Sequence, residues 1–447
     1  MIRAFLFAVF VVVAHPAPAL ATVKYLALNG FEDPAGEADF WWWDQASGGG
    51  ISYNASAVRG GAQSAAVDCS TSAQVFFHQF YDELTNGQTP ITGEGHVIGA
   101  CVWMMFPPGS VSDTGTTDLI GLDLASSGHG NGTGQALIRA IGDDSLQIGG
   151  TCTTTGGSTT WLTDGEWHQY CIGYTSTGTT GNIKVWFDRA MDLTPSDSCS
   201  TGSYSPDPDG VKVTCFEAIG NPVTAPRYVD DLVVLLDPGS QEQVRASIAA
   251  IERLDVNSLY AAIGLTLRGD CSAQTGLECV DGTYAEPGNG TDNDNPGTHA
   301  IRFDNNADCA AYRLSWRDTL GGQAPESVYA ISFEMDAIEE TTNSQLRYLY
   351  NSNLARTSGG GCSSTSGDEY SANPNIHNAL RMHKYERTLA SDGVSVIEPE
   401  LLDDVVVGLD KNVGSGNVRV EAWYVQALVP FPYSQGFVAR ATEEVGR

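Results

Sequence analysis

Short apolar or alternating runs, cut apart by clusters of Gly, Ser, Thr, Asn and Asp, fill most of this chain. Such runs predict β-strands joined by polar turns. In the first half they are His96 to Phe106, stopped by Pro107-Pro108, then Asp118 to Leu124, Gln135 to Ile141, Gln169 to Tyr174, Ile183 to Phe187 and Tyr228 to Leu236. Alternation sets Ile183, Val185 and Phe187 on one face and Lys184, Trp186 and Asp188 on the other. In the second half the runs are Ser258 to Leu267, Ala300 to Phe303, Ala311 to Trp316, Val328 to Ile338, Leu346 to Tyr350, Ala379 to Tyr385, Val394 to Ile397, Val405 to Leu409 and Val418 to Leu428. One segment has a helical period: Gln241 to Leu254 spaces Val244, Ile248, Ile251 and Leu254 for one helix face, with Ser240 in the N-cap position. It reads as a connector, or as a short accessory helix on one sheet. The pattern predicts an all-β chain of two β-sandwich, jelly-roll-like domains at 22–238 and 257–447, joined by a helical linker at 239–256.

The N-terminus adds an export signal. Arg3 precedes an apolar run from Ala4 to Ala14, and Ala19-Leu20-Ala21 forms a small-x-small cleavage site, so 1–21 reads as a signal peptide. The apolar run is too short for a spanning helix, and no later stretch suits membrane insertion. Six cysteines precede residue 238 and four follow it. Even counts on each side suit two separately cross-linked domains in an oxidising compartment, extracellular or periplasmic. No C-x2-C pair favours a zinc site instead.

Charge narrows the partners. The chain has 54 acidic and 23 basic residues, a formal net charge of -31, and no basic run. Phosphate backbones and anionic membrane surfaces are therefore poor partners. Neutral glycans, cationic surfaces and calcium remain, and the acidity by itself also serves solubility.

Several segments then carry a resemblance. Leu28-Asn29-Gly30-Phe31-Glu32-Asp33, the run from Val58 to Val67, Asp164-Gly165-Glu166-Trp167-His168 with Tyr170 to Tyr174, Val185-Trp186-Phe187-Asp188 and Tyr228 to Val234 follow one another in order. Together they resemble the concanavalin A-like lectin/glucanase (laminin-G-like) jelly-roll superfamily, with Arg189 where the usual turn glycine would stand. The second half, from Gly393 to Val425, is similar to β-sandwich domains of phage tails and other surface structural proteins. The first resemblance implies a lectin-like domain. It also implies a structural calcium held by an early acidic residue and a last-strand aspartate, here Glu32 and Asp231, or Asp230.

Candidate chemistry is sparse. Sugar stacking needs exposed aromatics. Trp42, in Trp41-Trp42-Trp43, and Trp161, beside a Gly/Thr loop, are the candidates, with Trp103 and Trp186 behind them, although tryptophans in small sandwiches are more often core. The run Glu334-Met335-Asp336-Ala337-Ile338-Glu339 resembles the E-x-D-x-x-E strand of laminarinase-type retaining glycoside hydrolases. Glu334 and Asp336 would share a face, and a bulge could bring Glu339 round. The plain alternative is an apolar face of Tyr329, Ile331, Phe333, Met335 and Ala337, with Ser332, Glu334 and Asp336 toward solvent. His168 reads as structural. The resulting expectation is a secreted, non-catalytic protein that binds a glycan or a surface protein. One alternative is a glycoside hydrolase using Glu334, Asp336 and Glu339; another is a structural component of a virion or cell-surface assembly.

Overall fold

The computed structural model describes residues 24–31, 45–47, 51–54, 56–61, 63–68, 74–80, 97–110, 116–123, 135–141, 145–150, 157–158, 162–176, 180–188, 195–200, 210–219, 225–236, 249–263, 266–268, 300–304, 309–315, 325, 327–339, 345–351, 369–370, 381–387, 397, 406–413 and 417–430. The strands in the first half are β1 (Lys24–Asn29), β2 (Gln45–Ser47), β3 (Ile51–Asn54), β4 (Ser64–Val67), β5 (Gln74–Phe80), β6 (Val97–Met105), β7 (Thr116–Asp123), β8 (Gln135–Ile141), β9 (Ser145–Gly150), β10 (Gly157–Ser158), β11 (Trp167–Ser176), β12 (Gly181–Phe187), β13 (Asp197–Ser200), β14 (Gly210–Ile219) and β15 (Arg227–Leu236). Those in the second half are β16 (Ala249–Ile263), β17 (Thr266–Arg268), β18 (Ala300–Phe303), β19 (Cys309–Ser315), β20 (Ala330–Glu339), β21 (Gln345–Asn351), β22 (Glu369–Tyr370), β23 (Arg381–Arg387), β24 (Val406–Val413) and β25 (Val418–Pro430). Among the described residues there is no helix, and so none long and apolar enough to cross a membrane.

The first unit is a β-sandwich of two antiparallel sheets. One runs β13-β12-β11-β6-β15-β4-β3, with β1 also on β15; the other runs β10-β9-β8-β7-β14-β5-β2. Alternation explains the core between them. Ile98, Ala100, Val102 and Met104 of β6 face inward and meet Ala136, Ile138 and Ala140 of β8 and Leu146 and Ile148 of β9, all buried in one cluster. The expected split of β12 holds: Ile183 and Val185 are buried in that cluster, Phe187 packs against it, and Lys184 is exposed. Trp186 faces the other way.

In the second unit β16 serves two sheets. Its residues 249–254 pair with β25, while 255–263 pair with β19 across two register shifts, at Val256/Ser258 and Leu259/Ala261. A strand that turns the corner in this way lets one chain segment belong to both layers. Here an expectation fails. Ala249 to Leu254, the second half of the expected Gln241–Leu254 helix, is strand; residues 239–248 lie outside the described residues. Pairing with the long β25 overrides the helical spacing, because tertiary context outweighs helix propensity.

The outer face of the eight-stranded sheet is covered by the second unit. Leu28, Cys101, Cys171, Trp186, Val233 and Leu235 form one buried cluster with Ile251, Ala330 and Leu428. Cys101 and Cys171 sit opposite each other on β6 and β11, with Cα atoms 4.1 Å apart, and are joined by a disulfide. This burial corrects a second expectation. Ser332 shares the face of Ala330 and is fully buried rather than turned to solvent.

Glycine is required where the units meet. A Cβ on Gly30 would lie 2.7 Å from the Ile251 carbonyl oxygen and 3.2 Å from the Ile251 Cβ. Gly30 N donates to Gln426 Oε1 at 2.9 Å, and Gln426 Nε2 donates back to the Leu28 carbonyl at 3.1 Å. Gly30→Ala is therefore expected to destabilise the protein by about 1–3 kcal/mol through forced displacement of backbone. Urea unfolding checks this; an unchanged midpoint would mean that the close approach is not maintained in solution.

Candidate functional site

The last strand of the first sandwich carries a local irregularity. β4 pairs with β15 at Arg227–Val229, and β1 takes over the same edge from Leu232 onward. Between them, the register of β15 against β6 shifts from Asp230 to Val233, and Asp231 adopts φ 49°. Aspartate tolerates the left-handed region better than most residues, and its carboxylate is held here from two sides. Asp231 Oδ2 accepts from Arg59 Nη1, and Asp231 Oδ1 accepts from Ile251 N at 2.6 Å. Asp230 Oδ2 accepts from Arg59 N at 2.9 Å and Gly60 N at 3.1 Å, and Asp230 Oδ1 accepts from Asp231 N at 2.8 Å. Arg59 stacks over the Trp103 ring, 3.7 Å from its centroid. Burial pushes the Asp231 carboxyl up, opposed by the Arg59 charge and the Ile251 N–H.

These contacts decide whether calcium fits at Asp231. Calcium takes six to eight oxygens and tolerates no guanidinium among them. Both carboxylates already receive N–H donors on every oxygen, so these residues do not fit the ion. Glu32, the expected partner ligand, lies outside the described residues, and among those described no three His, Cys, Asp or Glu side chains form a metal-binding group.

The E-x-D-x-x-E segment forms the middle of β20, between β23 and β25. The register shift at Asp336/Ala337 skips Glu421 on β25, whereas pairing with β23 runs unbroken from Ile331 to Ala337. The extra residue therefore belongs to β25. The side chains of Glu334, Asp336 and Glu339 lie outside the described residues.

Trp42 and Trp161 lie outside the described residues. Their places in the chain are still informative. Trp42 shortly precedes β2 and Trp161 shortly follows β10, and these are the two outermost strands of the seven-stranded sheet. Trp186 is buried under the second unit, and Trp103 lies beneath Arg59.

The outer face of that seven-stranded sheet holds a polar row that the sequence reading passed over. Gln147 on β9, Arg139 on β8 and Asp118 on β7 stand side by side by register. Arg139 Nε donates to Asp118 Oδ1 at 2.6 Å. A Cβ on Gly149 would sit 3.1 Å from the Arg139 Cζ and Nε, so the missing side chain lets the guanidinium lie flat on the sheet. Asp118 is 4% exposed and Gln147 8%, although both face away from the core. The readable signal was a single arginine inside the apolar run from Gln135 to Ile141. The next row aligns Gly149, Leu137, Gly121, Lys212, His78 and Gln45.

Two further groups complete the polar inventory. Arg227 is fully buried: Nη1 donates to the Asp118 carbonyl at 3.3 Å, while Nε and Nη2 have no partner among the described residues. Burial pulls its pKa down to about 9, against the opposing influence of Tyr170 and Asp118. His168, at the start of β11, is held between two carboxylates, with Nδ1 2.6 Å from Asp188 Oδ2 and Nε2 3.1 Å from Asp164 Oδ1.

No protein-family model matches the chain, and no curated protein matches it. Solved structures similar to it include the N-terminal CBM22-1–CBM22-2 tandem domain of Paenibacillus barcinonensis Xyn10C, 10% identical, covering 92% of this chain and 100% of that one with a TM-score of 0.27. The endo-1,3-beta-glucanase of Streptomyces sioyaensis is 13% identical, covering 51% of this chain and 100% of that one with a TM-score of 0.30. At such scores these likenesses carry no argument.

The His168 arrangement gives a pH prediction. Desolvation lowers its pKa, but the hydrogen bonds and charges of Asp188 and Asp164 outweigh it, and the net shift is upward. The stabilisation is therefore complete below the unfolded value of about 6.5 and is lost as pH rises through the higher folded value. The difference in Tm between the wild type and His168→Gln should be largest near pH ~5.5 and shrink toward pH ~9. A difference that grows with pH would contradict this.

Proposed function

We propose that this chain is an exported glycan-binding protein whose ligand lies across the outer face of the seven-stranded sheet. The Gln147–Arg139–Asp118 row carries the reading. Polar side chains on the outward face of a sheet normally reach water. Here they are buried or half-buried and fixed by an ion pair, as on the floor of a groove rather than on an open surface. Preorganised amide and guanidinium groups of this kind suit the hydroxyl and carboxylate oxygens of a sugar chain. Gly121 and Gly149 keep the floor flat. Trp42 and Trp161, which the sequence offers as stacking aromatics, suit a glycan by their chemistry.

The opposite sheet supports the same choice, because its outer face is occupied by the second unit. The disulfide between Cys101 and Cys171 suits an oxidising compartment outside the cytosol.

A glycan array probed with the full chain tests the proposal. The wild type should retain at least one glycan class, and Gln147→Ala should weaken it about tenfold, as for loss of one well-placed polar contact worth about 1.4 kcal/mol. Arg139→Ala should weaken it further. Wild-type-like retention by both folded variants, or no glycan retained by the wild type, would overturn the reading.

A further inference from the structure

We propose that the Arg59 guanidinium is a built-in structural cation that closes the Asp230–Asp231 bulge in place of a bound calcium ion. Two consecutive buried carboxylates need a positive charge beside them, since an uncompensated buried charge is far costlier than a paired one. Arg59 supplies it from the turn that precedes β4. Its backbone N donates to Asp230 and its guanidinium to Asp231, so one residue serves both acids. The Trp103 ring fixes the guanidinium in place.

The geometry favours a planar, directional cation over a spherical one. Asp231 turns one oxygen to Arg59 and the other to Ile251 N of the second unit, and both oxygens of Asp230 face backbone N–H groups. A metal ion would repel the guanidinium and draw these oxygens off their N–H donors. The same carboxylate that Arg59 neutralises also receives the amide of β16. The built-in cation thus stabilises the attachment of the second unit without dependence on free calcium.

Calcium titration of the chelator-treated full chain by calorimetry, with melting in chelator and in millimolar calcium, tests this. The wild type and Asp231→Asn should bind the same number of calcium ions. Arg59→Gln should melt below the wild type in chelator and recover roughly half or more of that loss in calcium, because the ion can then enter between the freed carboxylates. Asp231→Asn binding one ion fewer than the wild type would overturn the proposal, as would an Arg59→Gln protein whose melting is indifferent to calcium. If Arg59→Gln does not fold, the comparison of wild type with Asp231→Asn decides alone.

Discussion

The ion pair between Arg59 and Asp231 is the contact on which the architecture turns. It lies at the one place where β15 changes partner from β4 to β1, with Asp231 in a left-handed conformation. Such a backbone persists only when its surroundings over-determine it, and here the surroundings come from three parts of the chain. The turn before β4 supplies Arg59, β15 supplies the carboxylates, and β16 supplies the Ile251 amide. Breaking a buried pair by removing one partner typically costs about 3–5 kcal/mol, much of it the penalty for the charge left behind.

From that point the second unit is set against the first. Ile251 lies against the glycine at position 30, Gln426 clasps the backbone at Leu28 and Gly30, and the apolar residues around Cys101, Cys171 and Trp186 close the contact. The eight-stranded sheet is thereby committed to structure on both faces. The seven-stranded sheet carries the polar row of Asp118, Arg139 and Gln147 outward, and the proposed glycan site lies there for that physical reason.

Much of this was legible in the chain. Strand positions follow from alternation and turn chemistry: Gln135–Ile141 and Ala300–Phe303 were read to the residue, and the two faces of β12 divide as expected. The misread parts share a cause. Ala249–Leu254 carries helical spacing, and the distant β25 overrides it by pairing. Ser332 looked solvent-facing because alternation marks a face without saying what covers it. Arg59 and Arg139 drew no attention because each acts through partners far away in sequence, Asp231 and Asp118, that only the folded sheets bring near. The candidate tryptophans, Trp42 and Trp161, rest on their chemistry alone, because both lie outside the described residues.

Hydrogen exchange at the Ile251 amide tests the central claim most directly. If the Asp231 carboxylate holds that amide within a buried junction, its exchange should be as slow as that of the β6 amides at Ala100 and Val102 in the sandwich core. Exchange at the rate of an exposed strand end, while β6 remains protected, would show that the two units are not joined in this way.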